Sequence, residues 1–309
     1  MFAGKIGEKL GIPDLAEKLG SLSGSELNTL LLEVMGQKAG ELTPAKMRDA
    51  YAKSRFFAPS DVEPAAYHRL EAFLLETAEG MGMKGVLLSP AAPFGNCSVF
   101  GCVSQNKVIS ALRGAELLAD PTNMLATIIG DGLRRGTLDN RVGLHWCTTA
   151  RVARAQQFAG KGALSHFGLF AVVSSGKDVG SYGCEKALLG KQLEYYRKLA
   201  ERAEGQLSVA LRMREGYTDS EGFVQRMAEY VRGELPGCPI WIERDTQENA
   251  YYKGLNFKLY MEREGKRLEW GDGGFVDWLA GLTGNRKERC LISGIGLERV
   301  MAIGIKEYK

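Results

Sequence analysis

The chain has 309 residues, 45% hydrophobic and 25% charged, which excludes the disordered and fibrous classes and allows one large core or a main domain with a small helical appendage. Its 40 basic and 37 acidic residues leave a formal charge of +3. That lacks the clustered basic excess of a dedicated nucleic-acid binder, and it neither demands nor excludes a nucleic-acid partner.

The N-terminal run MFAGKIGEKLG is charged and has no apolar core, unlike a secretory signal. No apolar stretch approaches the roughly 18 residues of a membrane span. A cytoplasmic protein is expected. Residues 1–58 read as a helical segment. Ser25 reads as a cap for ELNTLLLEVM, with Gly36 near its end, and Thr43–Pro44 as the start of a further helix. Ser60 and Glu63 form a capping-box pattern before Pro64. Tyr67, Leu70, Leu74, Ala78 and Met81 follow at helical spacing, closed by Gly80, Gly82 and Gly85. GVLLSP reads as a short buried strand stopped by Pro90.

Between Leu112 and Arg135 the pattern reads as mostly helical, after the turn Asp120–Pro121. Leu144–Thr149 and Leu164–Ser174 are apolar, strand-like runs either side of a loop with Gly160, Lys161 and Gly162. A helix follows from Lys186 to Glu204, then a half-buried strand alternating Leu207, Val209, Leu211 and Met213. Phe223, Met227 and Tyr230 mark another helix. PIWIER and the alternating Leu255, Phe257, Leu259 and Met261 read as strands, with a hairpin at Glu264-Gly265-Lys266. The chain closes as strand, two glycines and apolar helix. Neighbouring strands with hairpin-like links favour an α+β fold on an antiparallel sheet. The six cysteines are scattered, as reduced thiols would be, and the Cys97/Cys102 spacing is not that of a zinc knuckle.

Three segments carry chemistry. Gly294 and Gly296 stand between strand and helix, where a ligand can approach the backbone, and Arg299 adds a forked cation suited to a triphosphate tail. The same pattern also suits plain helix–sheet packing. Arg151 beside a strand could hold an α-phosphate, and Phe167 beyond the Gly-rich loop could stack on a base or fill a core. Tyr251-Tyr252-Lys253-Gly254 precedes a strand whose partner carries Gly271 and Gly273; these glycines make room for a ligand or mark a β-bulge. His68 and His145 read as ordinary helix and strand residues, whereas His166 lies near the proposed phosphates.

In this order the segments resemble the class II aminoacyl-tRNA synthetases, in detail histidyl-tRNA synthetase and its paralogue, the regulatory subunit of ATP phosphoribosyltransferase. The resemblance runs from about Asp61 to the C-terminus, giving an N-terminal helical segment over 1–58 and a catalytic-type domain over 59–309. It implies that the Tyr67 helix and GVLLSP form motif 1, a dimerisation element, and hence a homodimer. It places Arg151 at the motif 2 arginine on the α-phosphate, Phe167 at the adenine-stacking position and Arg299 at the motif 3 arginine on the γ-phosphate. Ala119-Asp120-Pro121-Thr122 is similar to the P-E-G-T turn that holds an α-amino group, and Tyr251-Tyr252 to the Y-Y-T-G that lines the amino-acid pocket. ATP and Mg²⁺ are the implied cofactors, with no metal ligand assigned among the side chains.

The departures are equally specific. Ala153 replaces the motif 2 glutamate, and the loop arginine is missing, with His166 or Lys161 as substitutes. Leu169 and Val173 replace the polar pair that reads an imidazole, Arg244 lies three residues too early, and Phe275 replaces an arginine. Histidine is not the expected substrate, since leaving its ring unpaired costs about 1–3 kcal/mol per group. Ten residues after Arg299 leave no room for an anticodon-binding domain, so ordinary tRNA charging is not expected. Two readings stand: activation of an amino acid or related acid as an acyl-adenylate, or a non-catalytic paralogue that binds an amino acid or nucleotide and regulates a partner enzyme.

Overall fold

The computed structural model describes residues 2–99, 101–156, 164–244 and 251–302. The expected positions Gly160, Lys161 and Gly162 lie outside these. Four helices open the chain: α1 (Phe2–Lys9), α2 (Leu15–Gly20), α3 (Gly24–Gly40) and α4 (Pro44–Lys53). Thr43 caps α4 by accepting from the Lys46 amide, as read from sequence. Helix α3 is capped by Ser23, not Ser25, because Ser23 and Glu26 exchange side-chain and backbone bonds. It also runs past Gly36 to Gly40. No residue of α2, α3 or α4 is buried.

Helix α5 (Pro64–Glu79) starts on Glu63, whose carboxylate accepts from the Ala65 and Ala66 amides. Ser60 is not part of that cap and instead accepts from the Val62 amide. The expected strand GVLLSP shrinks to β1 (Lys84–Gly85), and Leu87 is 95% exposed. The helix expected after the turn Asp120–Pro121 is present, and the chain before it forms a small sheet. Strands β2 (Ala91–Pro93), β3 (Ser110–Ala111) and β4 (Ala115–Leu117) pair in the order β2-β4-β3, with helix α6 (Asn96–Val99) between β2 and β3. Fully buried Glu116 anchors it, accepting from the Gly95 and Cys97 amides at 2.9 and 3.1 Å. Strand β4 then delivers the chain to Asp120, the cap of α7 (Pro121–Arg135).

The main sheet follows: β5 (Leu144–Ala153), β6 (His166–Lys177), helix α8 (Gly183–Arg202), β7 (Gln206–Met213), helix α9 (Ser220–Glu234), β8 (Ile240–Glu243), β9 (Leu255–Arg263), β10 (Lys266–Val276), helix α10 (Trp278–Thr283), β11 (Glu288–Gly296) and helix α11 (Leu297–Ala302). Its eight strands run β1-β5-β6-β11-β10-β9-β7-β8. The six central strands are antiparallel, and the outermost pairs, β1 with β5 and β7 with β8, are parallel. At the β9–β10 turn Glu264 and Gly265 both have positive φ, 51° and 74°, which gives a two-residue hairpin its twist.

Alternation divides the sheet into two faces. Phe170, Val172, Leu207, Val209, Leu211, Phe257, Leu259 and Leu291 join α5, α8, α9 and α11 in the larger core. Strand β7 is buried on both faces, since Ser208 and Ala210 are also covered, so the half-buried expectation fails there. Truncating a core leucine such as Leu189 to alanine costs about 2–5 kcal/mol. The apolar face of α5, with Tyr67, Leu70, Leu74 and Ala78, is taken up by this same core. On the opposite face α7 and α10 cover Trp146, Val173, Val276 and Ile292. They leave the sheet beside them open, and that opening is the candidate site.

Candidate active site

A cavity of about 760 Å³ lies on the open sheet face. Asp120, Thr122, His166, Phe167, Leu169, Tyr251, Tyr252, Gly271, Gly294, Gly296 and Arg299 all line it, as do Arg154, Lys258, Glu269, Asp272 and Glu298. Sequence reasoning thus reached one wall from four separate parts of the chain. Three expected residues are not brought to the lining: Arg151, Val173 and Gly273.

Strand parity explains each. Arg151 pairs in register with Gly168, and a side chain at 168 would run into Tyr67 of α5. Arg151 therefore points to the helix-covered face. From there its guanidinium bonds two residues that do line the cavity, the His166 Nδ1 at 2.7 and 3.1 Å and Glu298 at 3.5 Å. Val152 pairs with Phe167 and Ala150 with Leu169, on the cavity face. One step further in the same alternation stands Arg154, which does line the cavity. Val173 shares a face with Leu169 but lies deeper, under α7, and is fully buried. At Gly273 a Cβ would meet Phe257 and Ser293 of the larger core, so this glycine serves packing. Gly271 follows a register shift between Glu269 and Gly271, which is the β-bulge alternative.

The lining side chains form one continuous sequence of contacts. Arg299 faces Glu269 at 3.8 Å, Glu269 holds Lys258 at 2.9 Å, and Lys258 holds Asp272 at 3.0 Å. Tyr252 reaches Asp272 at 3.4 Å, and its ring meets Tyr251 edge-on, with centroids 4.8 Å apart. Tyr251 reaches the second carboxylate oxygen of Asp120 at 3.4 Å. Asp120 faces Arg154 at 3.9 Å, and Arg154 lies over the Phe167 ring at 5.2 Å. A cation beside a glycine-lined backbone thus stands at one end, and the Asp120 carboxylate with an aromatic at the other.

The local reasons for this placement are simple. Asp120 spends one oxygen on the amide and hydroxyl of Thr122, at 2.9 and 2.7 Å, which caps α7 and fixes its rotamer. The other oxygen faces the Tyr251 hydroxyl and Arg154 on the cavity wall. Burial pushes the Tyr251 and Tyr252 hydroxyls well above the usual tyrosine range, with Asp120 adding to the shift at Tyr251 and Asp272 at Tyr252. Both stay protonated and act as donors. Burial alone would lower the Lys258 ammonium, but Asp272 and Glu269 outweigh it and the net shift is upward. Glu298 accepts from the Gly168 amide at 3.0 Å, tying α11 to β6.

Lys258, Glu269 and Arg154 are the functional candidates that sequence reasoning did not assign. Lys258 sits between the alternating apolar residues of β9, on the face turned to the site, where sequence alone reads an ordinary solvent-facing charge. Arg154 follows Arg151 by three residues on the same segment, and only strand parity separates the two. Among the described residues no group of three or more metal-type donors occurs. No helix among them is long and apolar enough to cross a membrane.

No protein-family model matches the chain. No curated protein matches it. Solved structures do. An ATP phosphoribosyltransferase regulatory subunit/histidyl-tRNA synthetase from Bacillus halodurans aligns with a TM-score of 0.63 at 12% identity, over 82% of this chain and 83% of that one. The RNA binding domain of threonyl-tRNA synthetase from Cryptosporidium parvum gives 0.61 at 10% identity, over 77% of this chain and 63% of that one, so the chain spans less than two thirds of its length. Apo histidyl-tRNA synthetase from S. aureus gives 0.57 at 14%, over 79% and 68%. At these identities the likeness is one of fold. The chain has the class II synthetase-like α+β fold expected from the order of its motifs.

Proposed function

We propose that the protein binds ATP and an amino-acid-like carboxylic acid in this cavity and joins them as an acyl-adenylate. The observation that carries the reading is the unbroken sequence of contacts from Arg299 to Phe167. It sets a cation and a glycine-lined backbone at one end of the cavity and, at the other, the second Asp120 carboxylate oxygen, shared by the Tyr251 hydroxyl and Arg154, beside an aromatic.

In this reading Asp120 and the Tyr251 hydroxyl hold the α-ammonium. Leu169, Ala171 and Ile292 take an apolar side chain. Phe167 stacks on the adenine. Arg154, rather than Arg151, holds the α-phosphate, and Arg299 holds the terminal phosphates. The substrate carboxylate attacks the α-phosphorus. A P–O bond forms there while the bond to the bridging oxygen breaks and pyrophosphate leaves. Glu269 and Asp272, which share the Lys258 ammonium, are the carboxylates that would hold a Mg²⁺ together with phosphate oxygens. When bound, Mg²⁺ supplies charge neutralisation on the β- and γ-phosphates.

One observation favours the alternative, a non-catalytic paralogue that regulates a partner. Among the described residues the β5–β6 hairpin brings Arg154, Leu164, His166 and Phe167 to the cavity but no carboxylate. Exchange of pyrophosphate into ATP, with the twenty amino acids tested singly beside small carboxylic acids, separates the readings. Exchange with one acid supports adenylation and names the substrate class. No exchange, with ligand still stabilising the protein to heat, supports the regulatory reading.

A further inference from the structure

The connector between α4 and α5 is not a free tether. Arg55 lies outside the cavity, yet its guanidinium donates to three groups on the two legs of the β5–β6 hairpin. Nη1 reaches the Gln156 carbonyl and the Ser165 hydroxyl, each at 2.9 Å, and Nη2 reaches the Ala155 carbonyl. Three residues on, the Ala58 carbonyl accepts from His166 Nε2 at 2.7 Å. Since His166 Nδ1 accepts from Arg151, the ring is held as the Nε2–H tautomer by partners on both sides. The connector then enters the site itself, where Ser60, Asp61 and Val62 line the cavity.

The clamped hairpin positions carry the site. Ala155 and Gln156 directly follow Arg154, and Ser165 and His166 directly precede Phe167. The Arg154 amide donates to the Ser165 carbonyl at 2.8 Å, so the two legs are already one hydrogen bond apart where Arg55 grips them. A fork of fixed donors across two strand ends restrains their separation and shear in a way a single bond does not.

We propose that Arg55 is a positioning residue for the nucleotide end of the cavity: it fixes the hairpin legs that present Arg154 and Phe167, so that the N-terminal segment is a working part of the site. The inference rests on the nucleotide reading given above. Arg55 touches neither ligand in this account, and its effect passes through the hairpin.

The test uses the full-length chain and Mg·ATP as the probe, by calorimetric titration, with Arg55→Ala, Arg55→Lys, Ser165→Ala and the exposed Arg48→Ala as a control from the same segment. Arg55→Ala is expected to weaken ATP about tenfold or more, a loss of about 1.4 kcal/mol in binding. Its thermal midpoint should stay near that of the wild type. Ser165→Ala should move affinity in the same direction, Arg55→Lys should recover part of it, and Arg48→Ala should change nothing. If exchange activity is present, the KM for ATP rises and the KM for the acid does not. Unchanged ATP affinity in both Arg55→Ala and Ser165→Ala, in a protein whose wild type binds ATP, overturns the inference and leaves the site reading standing. A wild type that binds no ATP overturns the site reading, and the inference with it.

Discussion

The Asp120 carboxylate is divided between two duties, with one oxygen closing the first turn of α7 on Thr122 and the other facing the Tyr251 hydroxyl at 3.4 Å. The two duties separate by substitution. Asp120→Asn keeps a good helix cap and removes the charge. It should cost less than about 1 kcal/mol of stability, because asparagine caps as well as aspartate. Affinity for the activated acid should fall about tenfold or more, because a neutral amide replaces a charge-assisted partner of an ammonium. Thermal denaturation and the KM for the acid in the exchange assay read the two effects independently.

The pH dependence of stability has a named contributor away from the site. Burial, with a smaller push from Lys191, lowers the His145 ring from 6.5 to about 4. Its Nδ1 lies 2.8 Å from the Ser174 hydroxyl. A base depressed in the fold favours the folded state above its unfolded value and penalises it below. Stability should therefore hold above pH 6.5 and fall as pH drops from there toward 4. By pH 4.5 the loss from this group is on the order of 2–3 kcal/mol. Urea titrations at pH 7 and pH 4.5 should show a smaller acid loss in His145→Gln than in the wild type. Equal losses would assign the acid sensitivity elsewhere.

Beneath the larger core, Arg289 bonds the buried Glu185 at 2.7 Å and Asp178 at 2.7 Å, while Tyr217 donates to the same Glu185 oxygen at 3.0 Å. Glu185 is 1% exposed. Arg289→Met would leave a buried carboxylate without its cation and should destabilise the fold by about 3–5 kcal/mol. The double variant Arg289→Met with Glu185→Gln should regain part of that. Chemical denaturation of the single and double variants measures both.

Much of this architecture was legible in the residues, for identifiable reasons. The β9–β10 hairpin was visible because Leu255, Phe257, Leu259 and Met261 alternate and Glu264–Gly265 supply the positive φ of a tight turn. The strand and helix around Arg299 stood where the pattern placed them, but Gly294 and Gly296 lie within the end of β11 rather than between the two. The small sheet β2-β4-β3 was not visible, because strands of two or three residues are too short to show a period. Arg151 and Arg154 look alike in a motif. A step of three residues along a strand reverses the face, so only the register with Gly168 and Phe167 tells which arginine sees the ligand. Lys258 and Glu269 become neighbours through pairing across a bulged hairpin, which no local pattern encodes. Arg55 reaches partners a hundred residues away from a segment with no periodicity at all.

The most direct test of the account is the affinity of Mg·ATP for the wild type and for Arg299→Ala, measured by calorimetric titration with folding checked by thermal denaturation. Arg299 is a half-exposed side chain whose one ion pair among the described residues is the 3.8 Å contact with Glu269, so its removal should leave the fold intact. The account predicts saturable ATP binding by the wild type and its loss in Arg299→Ala at an unchanged melting temperature. Equal ATP affinity in the two proteins, or no binding by the wild type, would contradict the assignment of this cavity to a nucleotide.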